Sequence, residues 1–482
     1  MTLLKSIEQI ILDFSIETPL KTAVICGKNR INYKTLWSSI LAAKLSLDNQ
    51  GLKSGDKVII AANKQAEFVY AYFGAHVGGI TTVPVDSQTS VDRLKYIIDT
   101  VEAKAVIGFN EGFGIKNIDF ANFGTVDYYE CQYTMPDMDS VADIMFTTGT
   151  TNIPKAVPLT FENEAAAARN INVFINNNSD DIELLALPIS HSFGLGRIRC
   201  CLSLGATIIL TGNFANIKRI FRTFEEEKVT GFSLVPASWR YLKKMSGSKI
   251  SDFAKQLKYI EMGSAFFAED EKKELAQLLP ETRICMHYGL TEASRSAFME
   301  FHDDNDFLSS VGKASPFTDI AVFDENGCKL DFYQDGEICV KGEHVTSGYI
   351  NFPNEQTHFG DFFRTGDWGH LSKNGYLYLT GRKNDIINVG GEKVSPVEVE
   401  TEINKIDGVS ESACIGVEDP NGLLGLVVKA FVVKDESSDI TFDTIRMQIA
   451  DKLEPYKIPT QWEWVTEIPK TPNGKIQRHL LK

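Results

Sequence analysis

The chain has 482 residues, 43% of them apolar, and a formal charge of −15. A single hydrophobic core stops growing before that length, so at least two domains are expected. The acidic balance argues against nucleic acid or an anionic membrane surface as the main partner. Glu8 stands where a secretory signal would be apolar and no stretch reaches transmembrane length, so the expectation is a soluble cytoplasmic protein. The eight cysteines, including neighbours Cys200 and Cys201, form no Cys-x-x-Cys pair and no metal-like spacing with histidine, and read as reduced core thiols.

In chain order, residues 16–56 admit several arrangements. Residues 58–60 read as a buried strand, 64–75 as a helix with apolar residues at helical spacing, and 81–85 as the next strand, which makes a β-α-β unit. Residues 113–140 are again open. The strand-like Ile144-Met145-Phe146 then leads into Thr147-Thr148-Gly149-Thr150-Thr151-Asn152-Ile153-Pro154-Lys155. Glycine lets such a loop turn its N–H groups towards an anion, threonine hydroxyls donate further hydrogen bonds, and lysine adds charge, so the loop suits phosphate. It is not a Walker A loop, since no glycine immediately precedes Lys155 and Ala156 follows it. A second β-α-β pattern at 184–187, 193–204 and 206–210 implies parallel strands with helical crossovers. The boundary falls at Gly381-Arg382-Lys383-Asn384, giving a large domain over 1–381 and a small one over 382–482 with strands at 414–417 and 426–433.

Further segments complete a series with the phosphate loop. They are Tyr288-Gly289-Leu290-Thr291-Glu292, Asp335-Gly336-Glu337-Ile338 with Gly348-Tyr349, Arg364-Thr365-Gly366-Asp367, Gly381-Arg382-Lys383-Asn384-Asp385 and Pro469-Lys470-Thr471-Pro472-Asn473-Gly474-Lys475. In this order they resemble the signature motifs of the adenylate-forming superfamily: acyl-CoA synthetases, aryl-CoA ligases, luciferases and peptide-synthetase adenylation domains. The resemblance covers nearly the whole chain. It implies an acyl-CoA synthetase-like α/β fold, with a large N-terminal domain of parallel and mixed sheets under packed helices and a small mobile α+β C-terminal domain.

The activity it implies is ATP-dependent activation of a carboxylic acid to an acyl-adenylate with loss of pyrophosphate, then acyl transfer to a thiol. Negative charge builds up at phosphorus, so positioned cations and donors must stabilise it. By resemblance, Thr147, Thr148, Gly149, Thr150 and Thr151 hold the departing phosphates with Lys155, and Thr291 touches the α-phosphate. Glu292 ligates Mg²⁺, whose preference is for hard oxygen. Asp367 accepts from both ribose hydroxyls, and Arg382 adds a ribose or phosphate contact. Tyr288 and Gly289 face the adenine opposite Gly263-Ser264-Ala265. Lys475 is the catalytic charge clamp between carboxylate and α-phosphate, and His191 stands near the reacting acid. Asn384 is the hinge of the mobile lobe, and Gly390 and Gly391 border the thiol passage.

CoA is the first choice of thiol, with a free-standing acyl carrier protein as the competitor. A reading of another class is a catalytically weak nucleotide-binding protein, because Asn152 and Ala156 stand where the family has glycine and part of the positive-φ allowance is lost. No aspartate lies between His191 and Leu204, which disfavours an amino acid as substrate. Arg197 and Arg199 suggest a second carboxylate on the acid, although residues two apart face different sides of a helix and suit solvation or salt bridges equally. Phe193, Val235, Ala237, Trp239 and Phe266 are candidates for the acyl pocket or for plain core.

Overall fold

The computed structural model describes residues 4–481 except Gly112, Glu130, 148–153, 354–355, Asn384, Gly391, 436–437 and 471–475, and leaves out the side chain of Lys393. The chain divides into two compact units, Met1–Ile320 with Val340–Phe363, and Ala321–Cys339 with Arg364–Lys482.

In the first unit the two expected β-α-β patterns form. Lys57–Ala61 and Thr81–Val85 pair in parallel around the helix Ala66–Val77. Ile182–Leu185 and Thr207–Leu210 pair in parallel around the helix Ser192–Leu202. The first pair belongs to a six-stranded sheet that ends in the antiparallel strands Val141–Phe146 and Ala156–Thr160. The second belongs to a nine-stranded sheet. In it Thr22–Cys26, Thr207–Leu210, Ile182–Leu185, Gly231–Leu234, Tyr259–Met262 and Arg283–Tyr288 run parallel in that spatial order. The stretch 16–56, open in the sequence, supplies Thr22–Cys26, Asn29–Asn32 and the helix Tyr33–Asn49.

One core cluster takes side chains from both sheets. The helix Ala66–Val77 is apolar on nearly every face and correspondingly buried. Gly74 lets it approach Tyr33–Asn49, because a Cβ there would stand 2.8 Å from Ala43 Cβ and 2.9 Å from the Ile40 carbonyl oxygen. The helix Phe161–Ile175 repeats buried apolar residues at 161, 165, 168, 171 and 175. Its start is fixed by a reciprocal cap: Asn163 N–H donates to Thr160 Oγ1 and Thr160 N–H to Asn163 Oδ1, a device worth about 1 kcal/mol.

The core also encloses charge. His76 lies between Glu8 and Asp143, while Arg199 pairs with Asp143 and donates to Tyr72 Oη. Arg197 donates to Glu183 at 2.8 Å and to Glu261 at 3.0 Å. Both arginines are buried and ion-paired, which removes the solvated reading, and they face separate networks as their two-residue spacing requires.

In the second unit, Leu377–Arg382 pairs antiparallel with Phe362–Leu371, bringing Arg382 opposite Asp367. The compact units divide before 381/382, so the paired residues 367–371 and 377–382 share a unit with the residues that follow. Downstream, Val409–Glu418, Leu426–Lys434 and Gln461–Trp464 form a three-stranded sheet with the helices Pro396–Ile403 and Phe442–Ala450. All eight cysteines are free; Cys200, Cys201, Cys285, Cys339 and Cys414 are buried, whereas Cys328 is exposed on a turn and departs from the core expectation. Among the described residues no helix is long and apolar enough to cross a membrane.

Candidate active site

The parallel strands of the nine-stranded sheet end on one edge, where open α/β sheets bind ligands. Three expected segments leave from there: Ala186 to His191 after Ile182–Leu185, Gly263-Ser264-Ala265 after Tyr259–Met262, and Gly289 to Glu292 after Arg283–Tyr288. Backbone geometry holds each one. A Cβ on Gly194 would stand 2.1 Å from the Pro188 carbonyl oxygen, so glycine lets the helix begun by His191 fold back on its own loop. A Cβ on Gly289 would meet Arg295 N at 2.4 Å, which closes the turn carrying Thr291 and Glu292. Ser264 adopts φ +72°, and Gly263 packs directly on the ring of His287, the neighbour of Tyr288.

Glu292 is buried, and Tyr349 donates its hydroxyl to Glu292 Oε1 at 2.6 Å. The Lys155 ammonium lies 4.5 Å from the Tyr349 ring centroid and 5.0 Å from that of Phe352, in the range of cation–π attraction. Thr147 N–H donates to the Lys155 carbonyl at 3.1 Å, so the two ends of the phosphate-loop segment are paired. Thr148, Gly149, Thr150, Thr151 and Asn152 lie outside the described residues. Ala156 begins the strand Ala156–Thr160 opposite Phe146 and is not among the residues of positive φ. The glycine allowance that the sequence lacks at this point is therefore not needed.

The walls behind these segments are ionic. Glu261 accepts from Arg197 Nη1 at 3.0 Å and Arg295 Nε at 3.0 Å, and lies 2.8 Å from His287 Nδ1. Arg295 also donates to the Ser192 and Phe193 carbonyls at 3.0 and 2.9 Å, beside His191. Phe193 meets His287 edge-on at 4.6 Å. Burial pushes His287 below its ordinary pKa against the pull of Glu261, while the paired arginines hold Glu261 well below the carboxylate range despite burial. Of the acyl-pocket candidates, Trp239 is core, Ala237 and Phe266 are exposed, and Phe193 and Val235 remain near His191 and Gly231–Leu234. Glu261, His287, Arg295 and Tyr349 had no assigned role in the sequence. A glutamate inside the otherwise apolar strand Tyr259–Met262 was the available signal.

In the second unit, Arg382 Nε lies 2.8 Å from Asp367 Oδ1, and Arg382 Nη1 donates to the Thr365 carbonyl at 3.2 Å. Thr365 Oγ1 receives Asp367 N–H at 3.0 Å and donates to the Ile338 carbonyl at 2.7 Å. Glu337 takes Arg364 at 2.8 Å and Lys383 at 3.0 Å, so three of the signature segments are tied to one another. Gly390 turns the hairpin Ile387–Val389 to Glu392–Val394 at φ +60°. Lys475, Asn384 and Gly391 lie outside the described residues.

The family model of AMP-binding enzymes matches residues 15–350, and that of the AMP-binding enzyme C-terminal domain matches residues 398–475. A 2-succinylbenzoate–CoA ligase from Enterococcus faecalis is 32% identical over 71% of this chain and 69% of its own length. One from Bacillus licheniformis is 27% identical over 96% and 97%. A 4-coumarate–CoA ligase from Humulus lupulus is 26% identical over 90% and 85%. The o-succinylbenzoate CoA synthetase of Bacillus subtilis, solved with its acyl-adenylate intermediate, shares the fold at TM-score 0.89 and 24% identity, over 98% and 97% of the two chains. The ATP-bound MatB of Rhodopseudomonas palustris does so at 0.89 and 24%, over 99% and 98%. With its first 350 residues matched almost throughout, the chain belongs to the AMP-binding enzyme family.

Proposed function

We propose that the chain is an AMP-forming acid–CoA ligase working in the cytoplasm. A carboxylate oxygen attacks the α-phosphorus of ATP, the P–O bond to pyrophosphate breaks, and an acyl-adenylate forms. The CoA thiolate then attacks the acyl carbon and AMP leaves. The observation that carries the reading is the cluster Lys155–Tyr349–Glu292, which joins the phosphate-loop segment to the segment carrying Thr291. The curated relatives are named as CoA ligases, which supports CoA as the thiol.

Glu292 fits Mg²⁺: it offers hard carboxylate oxygens and its orientation is fixed by Tyr349. Bound there with ATP, the ion would neutralise phosphate charge. Lys155, with Thr147 to Thr151, holds the pyrophosphate end, and Thr291 contacts the α-phosphate. Tyr288 and Gly263 to Ala265 flank the adenine. Asp367, oriented by Arg382 and by Thr365, receives the ribose hydroxyls. Lys475 bridges carboxylate and α-phosphate, and His191 orients the acid. The lobe over 382–482 turns about Asn384 between the half-reactions, bringing Gly390 and Gly391 to the thiol passage.

The test is pyrophosphate release with ATP, Mg²⁺ and a panel of carboxylic acids, run without thiol, with CoA, or with a phosphopantetheinylated carrier protein, beside Lys475→Ala. Acid-dependent release that collapses in the variant, and multiple turnovers with CoA, are expected. Turnover with the carrier alone would replace CoA as acceptor, and ATP binding without release for any acid would leave a nucleotide-binding protein.

A further inference from the structure

A cavity of about 20 Å³ lies beside Thr291. That is room for about one water-sized group. Half-buried Ser192 and Thr291 line it together with buried Glu164, Arg199 and Arg295, and Ile171 contributes an apolar wall from the helix Phe161–Ile175.

The charges around it are already matched. Arg199 pairs with Asp143 and donates to Tyr72 Oη at 2.7 Å. Arg295 is held by Glu261 and by the Ser192 and Phe193 carbonyls. Glu164 Oε1 lies 2.7 Å from Arg199 Nη2 yet off the line of its N–H bonds, and is a buried oxygen without a hydrogen-bond partner. Burial, with the neighbouring Asp143 carboxylate, pushes Glu164 well above its ordinary pKa against the pull of Arg199, which favours its neutral form. A second carboxylate entering the cavity would be a buried charge without a counter-ion. A methyl group would leave the Glu164 oxygen unsatisfied.

We propose that this cavity is the tip of the acid pocket, and that it takes a short-chain carboxylic acid ending in a neutral hydrogen-bonding group of that size, a hydroxyl. The inference rests on the reading of Thr291 as the α-phosphate contact. It sets aside the dicarboxylate that Arg197 and Arg199 suggest in the sequence, because neither guanidinium lacks a carboxylate partner.

The experiment compares kcat/KM for pyrophosphate release with γ-hydroxybutyrate, its apolar counterpart valerate, and succinate, in the wild type, Glu164→Met and Glu164→Gln. γ-Hydroxybutyrate should exceed valerate and succinate about tenfold or more, as sites built around a substrate hydroxyl do. That ratio should collapse in Glu164→Met and survive in Glu164→Gln, whose amide still hydrogen-bonds. Valerate or succinate matching γ-hydroxybutyrate, a preference that persists in Glu164→Met, or release confined to larger acids would each overturn the proposal. Absence of release with every acid, large or small, would overturn the adenylation reading and this one with it.

Discussion

Tyr349 and Glu292 stand fifty-seven positions apart in the chain, yet the tyrosine hydroxyl donates to Glu292 Oε1 across 2.6 Å. The contact is made possible by the segment around Gly348, which lies along the strand after the phosphate loop: Thr346 Oγ1 donates to the Pro158 carbonyl at 2.6 Å and Ile350 N–H to that of Ala156 at 3.0 Å. Thr346 N–H also donates to the Glu292 carbonyl at 2.9 Å. One short stretch therefore fixes both the backbone and the carboxylate of Glu292.

If Glu292 holds magnesium, Tyr349→Phe should raise the Mg²⁺ concentration for half-maximal pyrophosphate release about tenfold. That is the scale of one hydrogen bond to a charged group, about 1.5 kcal/mol at its lower end. The KM for the acid should not move. A magnesium titration at saturating acid measures it, and an unchanged midpoint would deny Glu292 the metal.

Glu261 calls for a different experiment. It is the shared acceptor for Arg197 and Arg295 and lies against His287, so it connects the helix starting after His191, the Gly263 turn and the strand ending at Tyr288. Removing one partner from a buried ionic cluster typically destabilises by about 3–5 kcal/mol. Glu261→Gln keeps the shape and loses the charge. It should lower the urea midpoint and, in the fraction that folds, raise the KM for ATP. Wild-type values of both would show that the three segments stand without it.

Much of this was legible in the sequence, and the limits are physical. The β-α-β units came through because their strands are buried on both faces and read as continuous apolar runs, as in Lys57–Ala61 and Thr81–Val85. The signature segments were legible because glycines and charges sit in turns, where local sequence dictates backbone. The ionic walls were not. Glu183 and Glu261 are brought near by the parallel pairing of their distant strands with Gly231–Leu234, Arg197 and Arg295 reach them from a helix and a turn, and nothing local in 183 or 261 announces its partner. Residues 16–56 were ambiguous for a related reason. Thr22–Cys26 finds its parallel neighbour, Thr207–Leu210, nearly two hundred positions away.

Asp367 and Arg382 form a pair whose roles separate by choice of nucleotide. With Arg382 Nε at 2.8 Å, the carboxylate is held in place. If it receives the ribose hydroxyls, the wild type should favour ATP over dideoxy-ATP, and Asp367→Asn should erase most of that preference. Arg382→Met should lower kcat/KM for ATP about tenfold, through loss of a charge-assisted contact. Equal use of both nucleotides by the wild type would remove Asp367 from the ribose.

The last prediction concerns pH. His76 is wholly buried, with Nδ1 2.8 Å from Glu8 Oε1 and Nε2 3.3 Å from Asp143 Oδ1. Burial alone would depress its pKa, but the hydrogen bonds and charges of Asp143 and Glu8 outweigh it and raise the group to about 10. The unfolded histidine titrates near about 6.5. A folded pKa above the unfolded one means that the folded state holds its proton more tightly, so the stabilisation is complete below about pH 6.5 and is lost as pH rises through about 10. Asp143, held below the carboxylate range by Arg199 and His76 despite burial, acts with the opposite sign and only in acid, so it does not enter this window. Urea unfolding followed from about pH 6 to about pH 9.5 should therefore show a falling midpoint. His76→Gln should flatten that fall while lowering the midpoint at about pH 6, because Glu8 and Asp143 lose their shared cation. Glu164, raised by burial, adds a fall of the same sign, so the histidine's share is the difference between the wild type and His76→Gln; no difference between them would mean that the histidine is neutral between its two carboxylates.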